Sequence, residues 1–354
     1  MKLQHLAAFS AAVAVALLAA ACAASAQPAG SPESTRPSAG TGPVGGGALT
    51  VYSGRSEKLV GPVIERFEKE AGIDVKVRYG DTAELAAAIL EEGGNSPADV
   101  YFAQDAGALG ALVAARRLAK LPQDLLEKVD ARFRAPGGEW VGLSGRARTV
   151  VYNTKALKEE DLPDSLLGFT DPRWRGKIGW APTNGSFQAF VTALRLTEGE
   201  ETARRWLQGI KANGPRVYRN NTAIVQAVGA GEVEVGFVNH YYLFSFLKEQ
   251  GDSFPARNYH PRAGDSGAMV NVAGAGILAT SRNPGAAERF IRYLLSGETQ
   301  QYFADETFEY PLVEGVETHP ALVPLSRIRT PEIDLGSLSD LERTLKLLQE
   351  AGVL

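Results

Sequence analysis

The fold is decided by the stretch LTVYSGRSEKLVGPVIERFEKEAGIDVKVRYGDTAELAAAILEEGGNSPADVYFA, which occupies residues 49–103. Within it, short apolar or alternating runs typical of strands are followed by segments with apolar residues every three or four positions, a pattern typical of helices. A βαβαβα order of this kind predicts a parallel sheet with right-handed crossovers. The predicted elements are strands over residues 49–52, 73–79 and 98–102, and helices that begin near Ser56, Asp81 and Asp105. Asp81 and Glu84 also form a capping-box pattern.

A second series of strand and helix patterns begins after Trp140. The apolar, glycine-interrupted run over residues 269–280 is then expected to cross back to the first series. Two α/β lobes joined by two crossing strands leave a cleft between them, and ligands in such sheets bind beyond the carboxyl ends of strands. We expect residues 49–146 and 270–322 to form the N-terminal lobe, and residues 147–269 and 323–354 to form the C-terminal lobe. The second series predicts strands over residues 149–152, 176–180, 216–219 and 233–239, and helices over residues 186–196, 200–212, 222–228, 284–295 and 338–350.

The N-terminus has the pattern of an export signal. One lysine precedes an apolar run and then small residues, which predicts a signal peptide over residues 1–21. Two cleavage sites compete, namely a lipoprotein box in which Cys22 would be acylated and an A-x-A site at residues 24–26. We favour the lipoprotein because Cys22 is the only cysteine in the chain. Residues 22–48 are mostly Ala, Ser, Pro, Gly and Thr and predict a flexible tether.

Composition argues against several classes of protein. A single cysteine excludes an intrachain disulfide, a thiolate zinc cluster and an iron–sulfur site, so a metal would need oxygen or nitrogen ligands. A formal net charge of -4 without charge runs does not indicate a surface that binds nucleic acid. The sequence contains no G-x-S-x-G or H-E-x-x-H motif and no reactive cysteine, so an enzyme is the weaker interpretation.

The most informative strand-to-helix junction is Asn239-His240-Tyr241-Tyr242. Adjacent tyrosines on a continuing strand would point to opposite faces, but past the strand end both can project into one cleft. Phenolate oxygen is a hard anionic donor, and a bound cation of high charge displaces the phenol proton although the ordinary pKa is near 10. The junction therefore favours a site for a trivalent cation. The alternative is a pair that only packs or stacks on a sugar.

Other junctions add polar groups to the same predicted cleft. Asn184-Gly185-Ser186 stands at a helix start, whose free N–H groups suit an anion. Arg146 and Arg148 alternate on one strand face, where they would support that anion or pair with acidic neighbours. Phenols, a carboxylate and an anion-binding helix start are thus expected to converge. The remaining junction residues are Ser53 to Glu57 after the first strand, Gln104 and Asp105 after the third, Tyr152 and Asn153, and Asn220 to Thr222.

Here the chain resembles the periplasmic ferric-ion-binding proteins, also called bacterial transferrins. The resemblance extends from about Leu49 to the C-terminus and implies an α/β, two-lobe periplasmic-binding-protein fold of type II. It also implies the role of a monomeric receptor that delivers ferric iron to an ABC permease and its ATPase. Export, and attachment to the membrane through Cys22, are expected from the N-terminal pattern. The resemblance is carried by VYSGRSE (51–57), NSPADVYFAQDAGALGAL (95–112), LSGRARTVVYN (143–153), DPRWRGKIGWAP (171–182), VNHYYL (238–243) and EYPL (309–312).

The resemblance also implies a set of site residues. Fe(III) is expected on Tyr241 and Tyr242, with a third tyrosine at Tyr152. A synergistic carbonate or phosphate is expected at the helix start. The residues implied for the anion are Asn184, Gly185, Ser186, Asn221 and Asn239, with Arg55 nearby.

The first lobe departs from the family's ligands. A histidine of several members is Ser56 here, and a glutamate of other members is Gln104. Glu57 is the candidate replacement, and its alternative role is a first-turn glutamate favoured by the helix dipole. These departures keep open a second interpretation, in which the cargo is a phosphonate or another anionic small molecule.

Overall fold

The computed structural model describes residues 48–354. The predicted signal peptide, Cys22 and the tether up to residue 47 lie outside the described residues. Within residues 48–354, no helix combines the length and the apolar character needed to cross a bilayer.

The described part of the chain alternates strands and helices, and the predicted elements of both series are present with ends shifted by a few residues. The strands are β1 (Leu49–Ser53), β2 (Val75–Tyr79), β3 (Val100–Ala103), β4 (Val141–Asn153), β5 (Ile178–Trp180), β6 (Arg216–Val217), β7 (Val235–Asn239), β8 (Ala256–Tyr259) and β9 (Val270–Ile277). The helices are α1 (Glu57–Ala71), α2 (Thr82–Glu92), α3 (Ala106–Ala114), α4 (Gln123–Leu126), α5 (Gly185–Glu198), α6 (Glu200–Ala212), α7 (Asn221–Ala230), α8 (Tyr242–Gln250), α9 (Pro284–Leu294), α10 (Gly297–Thr307) and α11 (Leu341–Glu350), with 3-10 turns between some of them.

The strands are hydrogen-bonded in the order β2-β1-β3-β9-β4-β7-β5-β6, and β8 pairs with β4 beside this path. β1 is parallel to both β2 and β3, as the βαβαβα pattern predicts. β9 pairs antiparallel with β3, which confirms that the chain crosses back to the first series. The carboxyl ends of β1, β2 and β3 therefore lie along one edge, where the loops that begin α1, α2 and α3 also lie.

Strand β4 is longer than its predicted length. Its first half, from Val141 to Ala147, pairs with β9, and its second half, from Arg148 to Asn153, pairs with β7 and β8. All of its residues are buried, so it lacks the apolar–polar alternation by which a half-exposed strand is recognised. Because its partner changes after Ala147, β4 carries Arg146 and Arg148 at the crossing between two parts of the sheet.

The C-terminal segment contacts both parts of the molecule. A Cβ on Gly110 of α3 would lie 2.1 Å from the carbonyl oxygen of Gly336, so glycine is needed for this close approach. The 3-10 turn Leu335–Ser339 thus packs on α3, while α11 packs on α5. The lobe boundaries stated above remain a prediction.

The helix starts that face the cleft differ in how they are capped. Asp105 accepts a hydrogen bond from the N–H of Ala108 at 3.2 Å and caps α3, as expected from its position. Asp81 precedes α2 but its side chain accepts no N–H there, so the predicted capping box is wrong. Asp81 instead lines the cleft.

Candidate functional site

The cleft contains two adjoining cavities that share Asp81 and Gln104. One has a volume of about 560 Å³ and contains the tyrosine pair. The other has a volume of about 580 Å³ and contains buried arginines and the start of α5. We call them the tyrosine cavity and the arginine cavity. The tyrosine cavity is lined by Gly54, Arg55, Ser56, Glu57, Leu59, Tyr79, Gly80, Asp81, Gln104, Tyr241 and Tyr242.

The tyrosine pair lies where β7 ends and α8 begins. Tyr241 already has helical dihedral angles, and α8 starts at Tyr242, so the strand turns into a helix as expected. The two rings stack with centroids 4.3 Å apart and planes inclined by 29°. Both side chains are half-buried. Two phenols therefore project together into one cavity.

Burial raises the pKa of Tyr242 above its usual value, and the neighbouring Tyr241 raises it further. Arg146 and Arg55 act in the opposite direction, because their positive charges favour the phenolate. Tyr242 is thus protonated in the absence of a cation, and the arginines reduce the cost of losing its proton when a cation binds.

Arg55 follows β1 and is buried beside the pair. Its guanidinium forms an ion pair with Glu309, whose other carboxylate oxygen accepts a hydrogen bond from Ser144. Burial alone would lower the pKa of Arg55, but Glu309, with Tyr241 and Tyr242, holds it above its usual value. Arg55 is therefore a fixed positive charge at the tyrosine cavity.

The start of α5 is tied to two other junctions. The Oδ1 atom of Asn184 accepts hydrogen bonds from the N–H and the hydroxyl of Ser186, at 3.1 and 2.6 Å. Asn221 donates to both Asn184 and Ser186, and its own Oδ1 accepts from the N–H of Asn239 at 3.0 Å. A Cβ on Gly185 would meet no atom within 4 Å, so there is open space above this helix start. Five of the six predicted anion residues are thus brought together, whereas the sixth, Arg55, lines the tyrosine cavity.

Two buried arginines face the arginine cavity without an acidic partner among the described residues. Arg148 donates to Asn239 Oδ1 at 3.1 Å and lies over the ring of Phe190, while its Nη2 has no partner. Arg146 donates to the carbonyl oxygen of Gln104, and its Nε and Nη1 have no partner. Burial lowers the pKa of Arg148 to about 9. An anion in this cavity would offset the cost of these buried charges.

Tyr152 does not lie with the tyrosine pair, and the prediction that placed it there is wrong. It pairs with Val235 at the beginning of β7, whereas Tyr241 follows the end of that strand. Four strand residues separate these positions, about 13 Å along the sheet. Burial and Glu159 raise the pKa of Tyr152, against a smaller opposing effect of Arg257. Because β4 and β7 are antiparallel, their carboxyl ends lie at opposite edges.

His240, next to the pair, is a structural residue. Its Nδ1 accepts the N–H of Ala147 at 3.1 Å, and its Nε2 donates to the carbonyl oxygen of Phe308 at 2.7 Å. Burial lowers its pKa to about 4, so the neutral tautomer with Nε2–H fits this geometry. Both ring nitrogens are occupied, so His240 has no nitrogen left for a metal.

Residues of β2 and α1 also line the tyrosine cavity. Glu57, exposed at the start of α1, lines it as proposed from the sequence. Tyr79, the last residue of β2, lines it as well and was missed, because it was read only as part of an alternating strand. Its place at the carboxyl end of a parallel strand was the available signal. Among residues 48–354, no group of three His, Cys, Asp or Glu side chains could hold a metal, so a metal here would depend on phenol oxygen.

Comparison with known proteins gives a consistent result. The family model described as bacterial extracellular solute-binding protein matches residues 63–324. The major ferric iron-binding protein of Neisseria meningitidis serogroup B is 36% identical over 312 residues, which cover 86% of this chain and 93% of that protein. The Fe(3+)-binding periplasmic protein of Serratia marcescens is 33% identical over 308 residues, with 86% and 90% covered.

The structural comparison agrees. Iron-bound HitA from Pseudomonas aeruginosa superimposes with a TM-score of 0.81 at 35% identity, over 86% of this chain and 99% of HitA. The predicted α/β fold of the type II periplasmic binding proteins is thereby confirmed.

Proposed function

Since this chain belongs to the family of bacterial extracellular solute-binding proteins, we propose that it is the receptor of an ABC importer and that its cargo is ferric iron. The observation that carries the proposal is the stacked pair Tyr241 and Tyr242, which projects into a cavity beside the buried positive charges of Arg55 and Arg146. The ferric-iron-binding names of relatives that cover most of this chain support it.

In this proposal the two phenols bind Fe(III) as phenolates. Each O–H loses its proton to solvent when the metal binds, because the charge of the cation favours the phenolate and outweighs the raised pKa of Tyr242. Arg55 and Arg146 favour the same charged form before iron arrives. Glu57 adds a carboxylate oxygen from the opposite wall.

A synergistic carbonate or phosphate would bind in the arginine cavity. The start of α5 offers the positive end of a helix dipole and open space above Gly185. Arg148 supplies an Nη2 that has no partner among the described residues. The anion would thus neutralise a buried charge and fill coordination positions that the protein leaves open on the metal. The proposed anion-binding residues are Asn184, Gly185, Ser186, Asn221 and Asn239, with Arg148 on the same side and Arg55 near the metal.

Capture would involve closure of two lobes, residues 49–146 with 270–322 and residues 147–269 with 323–354. The long β4 and its antiparallel partner β9 are the crossing strands in this proposal. Donors from β2 and α1 stand on one wall and those from α8 on the other, so closure would bring both sets to one ion. The closed monomer would then dock on a permease with its ATPase.

The experiment is titration of the purified mature apo-protein with ferric iron in the presence of carbonate, phosphate or citrate. A tyrosinate-to-iron charge-transfer band in the visible region, saturating at one iron per chain, is the expected result. Absence of that band with every anion would overturn the ferric proposal. The identity of the anion that sharpens the band also identifies the synergistic partner.

A second candidate function is capture of a phosphonate or another anionic small molecule. The unpaired nitrogens of Arg146 and Arg148 in a cavity of about 580 Å³ favour it. The ferric-iron names of relatives at 33–36% identity favour iron instead. Calorimetric titration of the iron-free protein with methylphosphonate separates the two, because tight iron-independent binding is expected only of the second function.

Export and anchoring are also part of the proposal. Cleavage before Cys22 and acylation of that residue would hold the receptor at the membrane through the tether of residues 22–48. Replacing Cys22 by alanine is expected to move the protein from the membrane fraction to the soluble extracytoplasmic fraction. Cleavage at residues 24–26 instead would leave wild-type protein soluble.

A further inference from the structure

A third phenol, that of Tyr79, lines the tyrosine cavity. Tyr79 ends β2, and the chain then turns through Gly80 to the start of α2. The strand is parallel to β1, so its carboxyl end lies at the same edge as the loop that carries Arg55 and Glu57. Tyr79 is half-buried and lines the cavity together with Tyr241 and Tyr242.

Tyr79 and Glu57 converge above Gly61 of α1. A Cβ placed on Gly61 would lie 3.9 Å from the Tyr79 hydroxyl oxygen and 3.4 Å from Cγ of Glu57. Within residues 48–354, the Tyr79 hydroxyl makes no hydrogen bond. The Tyr79 phenol and the Glu57 side chain thus occupy neighbouring positions on one wall of the cavity. Among residues 48–354, the phenol has no hydrogen-bond partner that would compete with a ligand.

The charges that act on Tyr79 are all negative. Burial raises its pKa, and Glu57, Glu65 and Glu68 raise it further, with no cation acting against them. The tyrosine pair differs in this respect, because arginines stand beside it. Carboxylates therefore lie near the phenol of Tyr79, whereas arginines lie near the tyrosine pair.

We propose that Tyr79 is a third phenol ligand of the ferric ion, supplied from the wall opposite Tyr241 and Tyr242, with Glu57 beside it. This inference rests on the proposed function. It fills the role that sequence reasoning gave to Tyr152. Three phenolates match the charge of Fe(III), and each phenol releases its proton to the buffer on binding.

The test compares the variants Tyr79→Phe and Tyr152→Phe of the mature protein. Calorimetric titration in buffers of different ionisation enthalpy counts the protons released per iron, and absorption spectroscopy records the charge-transfer band. Tyr79→Phe is expected to release about one proton fewer, to shift and weaken the band, and to speed loss of iron to a competing chelator at least about tenfold. Tyr152→Phe, which removes a phenol outside the cleft, is expected to match the wild type.

The results distinguish a failure of Tyr79 as a ligand from a failure of the ferric function itself. If Tyr79→Phe keeps the wild-type proton count and band while Tyr241→Phe loses the band, Tyr79 is not a ligand and the ferric function stands. If wild type gives no band, the ferric function itself fails. Misfolding is checked by thermal unfolding of the apo-protein. Tyr79→Phe is expected to unfold like wild type, because the lost hydroxyl makes no hydrogen bond within residues 48–354.

Discussion

Arg55 and Glu309 form a buried ion pair although they are 254 positions apart in the sequence. The pair joins the loop after β1 to the segment after α10, and Ser144 of β4 donates a hydrogen bond to the same carboxylate. Arg55 also acts electrostatically on Tyr241 and Tyr242. A carboxylate outside the cleft therefore fixes the position of a positive charge inside it.

Replacing Glu309 by glutamine is expected to destabilise the protein by about 3–5 kcal/mol, because it leaves Arg55 as an uncompensated buried charge. Urea unfolding measures the loss. The matched control is Glu298→Gln, which removes the exposed pair between Arg66 and Glu298 and is expected to cost less than about 1 kcal/mol. Equal losses in the two variants would contradict a special role for the buried pair.

Removal of either hydroxyl of the tyrosine pair is expected to weaken iron binding strongly. In Tyr241→Phe or Tyr242→Phe, affinity should fall by more than the roughly 10–100-fold that loss of an outer-shell partner costs. The charge-transfer band should weaken in both variants. Chelator competition and visible absorption are the measurements. Wild-type affinity in both variants would mean that iron, if bound, lies elsewhere.

Iron affinity should rise with pH. The pKa of Tyr242 is raised in the apo-protein, so this phenol is protonated at neutral pH and must lose its proton to the buffer when iron binds. Each proton released adds about one log unit of affinity per pH unit, so competition at roughly pH 6 and pH 8 should show a steep increase. In Tyr242→Phe the slope should be smaller by about one. A flat profile would exclude phenolate ligation.

Site residues that a short local sequence pattern identifies were predictable from the sequence. Tyr241 and Tyr242 follow a buried strand and begin a helix, and the start of α5 at Asn184 is a local capping pattern. Tyr152 was misplaced because the carboxyl-end rule assumes parallel strands, and β4 runs antiparallel to β7. Strand direction depends on pairing over a long sequence distance, which a local pattern does not reveal.

The place of Tyr79 in the site could not be predicted from the sequence for a related reason. Tyr79 alternates with Val75 and Val77 in the sequence as any strand residue would. Only the parallel register with β1 places its phenol near Glu57 and in the same cavity as the tyrosine pair. The Arg55–Glu309 pair is likewise a contact of the folded chain and has no local sequence signal.

His240 is expected to make stability depend on pH. Its pKa is about 4 in the fold against an ordinary 6.5, so the unfolded chain binds the proton more readily between these values. The contribution of His240 to the free energy of unfolding is therefore fully present above pH 6.5. It is lost as pH falls toward 4, by about 3 kcal/mol in total. Below pH 4 this residue should cause no further loss.

The variant His240→Gln tests this account. It loses the paired hydrogen bonds to Ala147 and Phe308 and should be less stable at neutral pH by about 1–3 kcal/mol. Its stability should also fall less than that of wild type between about pH 7 and pH 4.5. His260, whose pKa is lowered to about 3 by burial and to a smaller extent by His240, remains buried in both proteins and adds its own loss of stability to both profiles. Parallel pH profiles would contradict the assignment.

Arg148 offers a test that separates binding from stability. It is a buried cation with no carboxylate partner among the described residues, held by Asn239 and the ring of Phe190. Replacement by methionine removes a desolvated charge and keeps apolar volume, so the apo-protein should be as stable as wild type or more stable. Arg195→Met is the matched control, because Arg195 is equally buried but is paired with Asp340 at 2.9 Å.

The anion dependence of iron binding should distinguish the two variants. Arg148→Met loses a charged hydrogen-bond donor and should weaken the dependence of iron binding on carbonate or phosphate by roughly tenfold to a hundredfold. Arg195→Met should lower stability and leave anion dependence unchanged, since it lies outside the arginine cavity. Iron titrations at several anion concentrations, together with thermal unfolding, give both quantities. If Arg148→Met destabilises the apo-protein and leaves anion dependence intact, then Arg148 is a packing residue and the anion is held by the start of α5 alone.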